Sequence, residues 1–179
     1  QGLCARVGPL PVWSQRRLLE AVAAASRPPF WVLLDNIQDP HNLGAIVRTA
    51  YCAGADGVVI PRDRAAAPRP SVSKASAGAM EHLPVVRVTN LVNLIRQLKK
   101  AGLWVAGLDA RADRQVFASP LDGPLALVIG GEDQGLRRLV KAHCDVRVAI
   151  PQARVFDSLN ASVAAALVIS EVSRQRWPG

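Results

Sequence analysis

Three stretches decide how this chain folds: LDNIQDPHNLGAIVRTA (34–50), LALVIGGEDQGL (125–136) and IPQARVFDSLNASVAAAL (150–167). Each runs from apolar, strand-like residues through a polar turn into a helix-like run. The turns carry Asn, Glu, Ser or Gly where a strand hands over to a helix, the place where open α/β sheets bind ligands. Three such turns in one small chain point to one composite site.

Working outward, short Val/Leu/Ile runs alternate with helical patterns from Phe30 onward. The pattern predicts strands at 30–34, 57–60, 85–88, 104–108, 125–130 and 146–150. Helices are predicted at 41–53, 74–80, 91–100, 134–144 and 158–176. This alternation predicts an α/β fold, a mostly parallel sheet with helices on both faces. Residues 1–29 read differently, as a linker or the remnant of an N-terminal domain (an RNA-binding one, by the family resemblance given below), with one short helix at 14–25 capped by Ser14. Residues 30–179 then form the main domain. The last helix is apolar on most sides through Ile169, so it needs cover on most sides, and a subunit interface would supply it.

The 179 residues suffice for one domain with a sizeable core. The formal charge of +8 favours a polyanionic partner, nucleic acid first. Cys4, Cys52 and Cys144 are odd in number and lack paired spacing, which argues against a disulfide framework or zinc site and fits a cytoplasmic location. Cys52 reads as a small core residue. No apolar run approaches the roughly 18 residues of a spanning helix, so no membrane role is expected.

The dinucleotide fingerprint, the P-loop and HExxH are all absent, and the three histidines are scattered; no metal is expected. Asn42 stands at a helix start behind Asp39-Pro40, where capping is an ordinary role. Arg48 sits among Ala45, Ile46, Val47 and Ala50, and a charge in that setting asks for a phosphate or carboxylate partner. Glu132 and Asp133 are expected to open a helix, where its dipole favours carboxylates. Gly130 and Gly131 admit a ligand or another backbone at close range. Ser158 and Asn160 bracket the final helix start, two candidates where capping needs one.

Together these segments resemble motifs 1, 2 and 3 of the SPOUT methyltransferases, in the TrmH/SpoU branch. DPHNLGAIVRTA (39–50), IGGEDQGL (129–136) and SLNASVAAAL (158–167) match in order and spacing, and VRVTNL (86–91) and EVSRQR (171–176) add to the likeness. It covers about Pro29 to Arg176. The resemblance implies a C-terminal trefoil knot, a homodimer through the knot and final helix, and S-adenosyl-L-methionine as cofactor. It places Leu108, Gly130, Gly131, Ile150, Gln152 and Leu159 at the cofactor, with Gly130-Gly131 giving its purine close approach. It assigns Asn42, Arg48, Glu132, Ser158 and Asn160 to catalysis. The implied reaction is 2′-O-ribose methylation of RNA, at a guanosine of 23S rRNA, with tRNA methylation or non-catalytic RNA binding as the alternatives.

Arg48, Arg62, Arg64, Arg69 and Lys74 are the candidate RNA-binding residues, and Arg137, Arg138 and Lys141 form a second basic group on one helix. The chain departs from the family where Arg154 and Phe156 replace small residues in the third segment. The expected consequence is a narrowed cofactor pocket or an added RNA contact.

Overall fold

The computed structural model describes residues 10–131, 134–154 and 159–177. Among these, eight strands form one sheet: β1 (Val12–Trp13), β2 (Phe30–Asp35), β3 (Gly57–Pro61), β4 (Val85–Val88), β5 (Trp104–Leu108), β6 (Arg114–Gln115), β7 (Leu125–Gly130) and β8 (Val146–Ala149). The spatial order is β1-β4-β3-β2-β7-β5-β8-β6. All the pairings are parallel, as continuous apolar strands covered on both faces require. In the central pair, Phe30 lies opposite Leu125 and the register runs without interruption to Asp35 opposite Gly130.

Alternate strand residues enter two cores. Phe30, Val32 and Leu34 pack with α2 (Pro40–Cys52), α4 (Ala79–His82) and α7 (Ala161–Arg176) through Ile46, Val47, Met80, Val168 and Ile169. Trp31 and Leu33 face the other way, against α1 (Gln15–Ala23), α5 (Leu91–Lys100) and α6 (Arg138–His143) through Leu18, Leu94, Ile95 and Val140. The expected sheet with helices on both faces is therefore present.

Several boundaries differ from the expectation, each for a local reason. The single helix expected at 74–80 is two, α3 (Pro70–Ala75) and α4, separated where Ala77 and Gly78 take φ of 51° and 86°. The last helix begins at Ala161, with Asn160 as its cap. The helix expected from Gln134 begins only at Arg138. Strands β1 and β6 were not anticipated; two residues are too few for periodicity to reveal. Within the segment read as a linker or remnant, β1 pairs with β4 and α1 buries Leu18 and Val22 in the sheet's core. Cys52 is exposed rather than a core residue.

The final helix is covered on one face by its own chain, through Ala161, Ala165, Val168, Ile169 and Val172, while Val163 and Leu167 face outward. Its C-terminal end is fastened to the β5–β7 connection. Gln175 donates to the Ser119 carbonyl at 2.9 Å and accepts from the Leu121 amide at 2.6 Å. Arg176 donates to the carbonyls of Pro28 (2.8 Å) and Gly123 and lies over the Phe30 ring. Buried Glu171 accepts from Arg174 and Gln175. Hydrogen bonds from those two side chains hold its carboxyl at about 2, below the ordinary 4.5.

A folded-state pKa below the unfolded one stabilises fully above about 4.5 and is lost as pH falls toward about 2. Glu171→Gln is therefore expected to lower stability at pH 7 by about 1 kcal/mol, given that Arg174 reaches water. Urea unfolding as a function of pH should show the wild-type and variant curves converging in acid.

Candidate functional site

The C-terminal ends of β5, β7 and β8 meet around one cleft of about 730 Å³. Among the described residues it is lined by Leu108, Gly130, Gly131, Ile150, Gln152 and Leu159 together with Asp109, Arg111, Gln134, Lys141, Ala161 and others. All six expected cofactor residues are thus in one place. Leu108, Ile129, Ile150 and Leu159 give it apolar walls, and Asp109, Arg111, Gln134, Lys141 and Gln152 give it polar ones, the mixture a nucleoside-sized molecule needs. A smaller cleft of about 180 Å³ is lined by Asn36, Ile37, Gln38, Asp39 and Asn42, and it shares Gly131 and Ala161 with the first. A larger mixed chamber and a smaller polar chamber therefore abut across two small residues.

The local sequence explains this shape. Asp39 caps α2 by accepting from the His41 amide at 3.0 Å, with Pro40 in the first turn. Capping is therefore Asp39's role and not Asn42's. Asn42 sits inside the first turn, 7% exposed, at the polar chamber. At the next turn, Asn36 takes φ of 69°. Gly131 donates to the Asp35 carbonyl at 2.9 Å. A Cβ on Gly131 would meet the Asn36 carbonyl oxygen at 2.4 Å, and one on Gly130 would meet the Gly135 backbone at 2.1 Å. The two glycines are thus required by the chain's own backbone. Of the two expected reasons, a ligand or another backbone at close range, the second is present here, and both glycines also line the cleft.

Glu132 and Ser158 lie outside the described residues, as do Asp133 and Phe156. Asn160 caps α7, accepting from the amides of Ser162 (2.9 Å) and Val163 (3.3 Å). Arg48 is exposed on α2, not enclosed by its apolar neighbours, so it stands on a different face from Asn42. Arg154 is exposed and does not line the cofactor-sized cleft, which removes the expected narrowing at that residue.

Arg62, Arg64, Arg69 and Lys74 are all exposed. Their loop is tied to the first motif by the Ala66 amide on the Ile37 carbonyl at 2.8 Å, and Gly44 lets α3 pack closely on α2 at Ala75. The second basic group breaks up. Arg137 pairs with buried Asp35 at 2.6 Å and Lys141 with Asp109 at 3.1 Å, leaving Arg138 as the exposed member without such a pair.

Asp35 and Asp109 were not singled out from sequence. Asp35 is fully buried and accepts from both the Arg137 amide (2.8 Å) and its side chain (2.6 Å). A carboxylate ending an apolar strand, as in FWVLLD and WVAGLD, was the available signal, since a buried charge must find a partner. Gly130→Ala is expected to cost about 1–3 kcal/mol by overpacking, measured as a loss of denaturant midpoint with an unchanged slope.

The family model described as SpoU rRNA Methylase matches residues 29–170. The chain is 43% identical over 176 residues to the 23S rRNA (guanosine-2'-O-)-methyltransferase RlmB of Pseudomonas putida, covering 98% of this chain and 71% of that one. Among solved structures, the SpoU methyltransferase AviRb from Streptomyces viridochromogenes, in complex with AdoMet, is similar with a TM-score of 0.81 and 31% identity over 88% of this chain. The AdoMet-bound rRNA methyltransferase from Sinorhizobium meliloti follows with a TM-score of 0.78 and 28% identity over 86%. This chain spans 64% and 59% of those two chains, respectively. The three motifs, the parallel sheet and these matches lead to one conclusion: the chain belongs to the SpoU rRNA methylase family.

Proposed function

We propose that this chain is an S-adenosyl-L-methionine-dependent RNA 2′-O-ribose methyltransferase that acts on a guanosine of 23S rRNA in the cytoplasm. The observation that carries this reading is the pair of abutting chambers. The larger has the size and apolar walls for a nucleoside cofactor, and the smaller has polar walls and Asn42 for an acceptor ribose. When bound, the cofactor supplies an electrophilic methyl group on sulfur.

The chain's own residues then have distinct tasks. Leu108, Ile150 and Leu159 enclose the purine, with Gly130, Gly131 and Gln152 beside it. Asn42 orients the ribose so that its 2′-oxygen lines up with the methyl carbon, and such positioning supplies much of the rate. To accept that methyl group, the ribose hydroxyl would have to pass its proton to a base. Arg48 carries a guanidinium, a donor-only group. It serves by binding a phosphate and stabilising the developing oxyanion. Glu132, Ser158 and Asn160 complete the polar group by resemblance. The exposed Arg62, Arg64, Arg69 and Lys74 give affinity through phosphates rather than sequence choice.

The resemblance also supports a trefoil knot in the C-terminal part and a homodimer through it and the final helix. Val163 and Leu167, 49% and 40% exposed one turn apart on that helix, offer an apolar face for the second copy.

Labelled cofactor incubated with 23S rRNA and with tRNA tests the reaction, and mapping of the methylated ribose identifies the target. Label on a 23S guanosine is expected. Label on tRNA alone would reassign the substrate. No transfer by folded protein that binds cofactor and RNA would overturn the enzymatic reading. Asn42→Ala and Arg48→Ala are each expected to lower kcat by about 100- to 1000-fold.

A further inference from the structure

Among the described residues, the cofactor-sized cleft holds one buried carboxylate, Asp109. It stands directly after β5, and its side chain is 6% exposed. Its backbone amide continues the strand pairing to the Val148 carbonyl at 3.0 Å. Its Oδ1 accepts from the Arg111 amide at 3.2 Å. Its Oδ2 takes both Lys141 Nζ at 3.1 Å and Arg147 Nη1 at 3.3 Å. Burial raises this carboxyl's pKa, but the Arg111 amide and the two cations outweigh it, so the net shift is downward. A carboxylate has about four acceptor positions. Both on Oδ2 are taken by cations, and one on Oδ1 remains.

The kind of partner follows from charge and place. Two cations against one carboxylate leave this corner net positive, which repels an ammonium or sulfonium group. A neutral hydroxyl suits it. Asp109, Arg111 and Lys141 line the large cleft alone, whereas Gly131 and Ala161 also line the polar chamber. The transferable methyl must lie toward the shared wall, so the Asp109 corner lies away from the reacting atoms. Asp109 also adjoins Leu108, one of the residues that enclose the purine. The group one bond from a purine in a nucleoside is the ribose.

We propose that Asp109 is a cofactor-positioning residue that accepts a hydrogen bond from a ribose hydroxyl of the bound cofactor, with Lys141 and Arg147 holding its carboxylate in place. This rests on the cofactor reading above. Lys141 lines the cleft beside the carboxylate, and Arg147 does not line it. They fix the carboxylate's rotamer and keep it ionised, so that its last acceptor position faces the cleft.

Calorimetry of wild-type protein and Asp109→Ala with S-adenosylhomocysteine and its 2′-deoxy and 3′-deoxy analogues tests this. Wild type is expected to lose about 10- to 100-fold in affinity for one of the deoxy analogues, the range for a hydrogen bond to a charged acceptor. In Asp109→Ala, S-adenosylhomocysteine should bind that much more weakly, and the same deletion should then cost less than about 3-fold. A purely structural carboxylate would weaken all three ligands equally. Equal penalties in both proteins, or no penalty in wild type, would overturn the proposal. Lys141 and Arg147 are part exposed, so their charges reach water once the carboxylate is gone. Asp109→Ala/Lys141→Met, which deletes one of these cations, carries the same prediction should the single variant not fold. No binding of S-adenosylhomocysteine to folded wild type would overturn the cofactor reading itself.

Discussion

The uninterrupted parallel register of β2 against β7 is the constraint on which the site depends. Because Asp35 ends opposite Gly130, the first and second motif turns leave the sheet at the same height and side by side. Gly131 then donates to the Asp35 carbonyl, and Arg137 reaches back to the Asp35 carboxylate. A one-residue slip would turn every side chain of the pair to the opposite face. Buried Trp31 would then move into the core that α2 and α7 occupy, and Asp35 would lose Arg137. Both apolar cores therefore protect the geometry of the turns.

Much of this was legible in the sequence. The strand-to-helix punctuation of 34–50, 125–136 and 150–167 marks the cleft's floor, and the motif likeness assigns residues to it. Leu108, Gly130, Ile150 and Leu159 came from the motif likeness, not from periodicity, and in the structure each sits at or near the end of an apolar strand or beside a helix start. Other features were not legible. Gly130 and Gly131 look like ligand-contact glycines, yet the clash they avoid is with Gly135 and Asn36, a contact between turns that spacing cannot show. Asn42 and Asp39 are both good capping residues, and only the backbone geometry decides between them. The ion pairs Arg137–Asp35 and Lys141–Asp109 join residues far apart in the chain, so a basic helix face looked free when two of its three cations are committed.

Electrostatics divides the site in two. Around the larger chamber, several cations are held by buried carboxylates: Arg137 by Asp35, and Lys141 and Arg147 by Asp109, while Arg111 lines the cleft with no such pair among the described residues. The exposed cations of the 62–74 loop carry no such partners among the described residues and remain available to phosphates. The chain's net charge of +8 is thus not spread evenly in effect. Most charge near the cofactor-sized cleft is paired, and charge beside the polar chamber faces solvent, where it is sensitive to salt.

The fastening of the last helix has a consequence for biosynthesis. Gln175 and Arg176 hold α7 to Ser119, Leu121, Gly123 and Pro28, and the same helix brings Ala161 and Ala164 to the cleft wall. Contacts across such sequence separations form late, because their loop-closure entropy must be overcome first. A nascent chain whose residues 161–176 are still inside the ribosomal exit tunnel can build β2, β3 and β7 but cannot seat α7. The cleft stays open-walled until that helix has emerged. Translation thus delays ligand binding until α7 is free to dock.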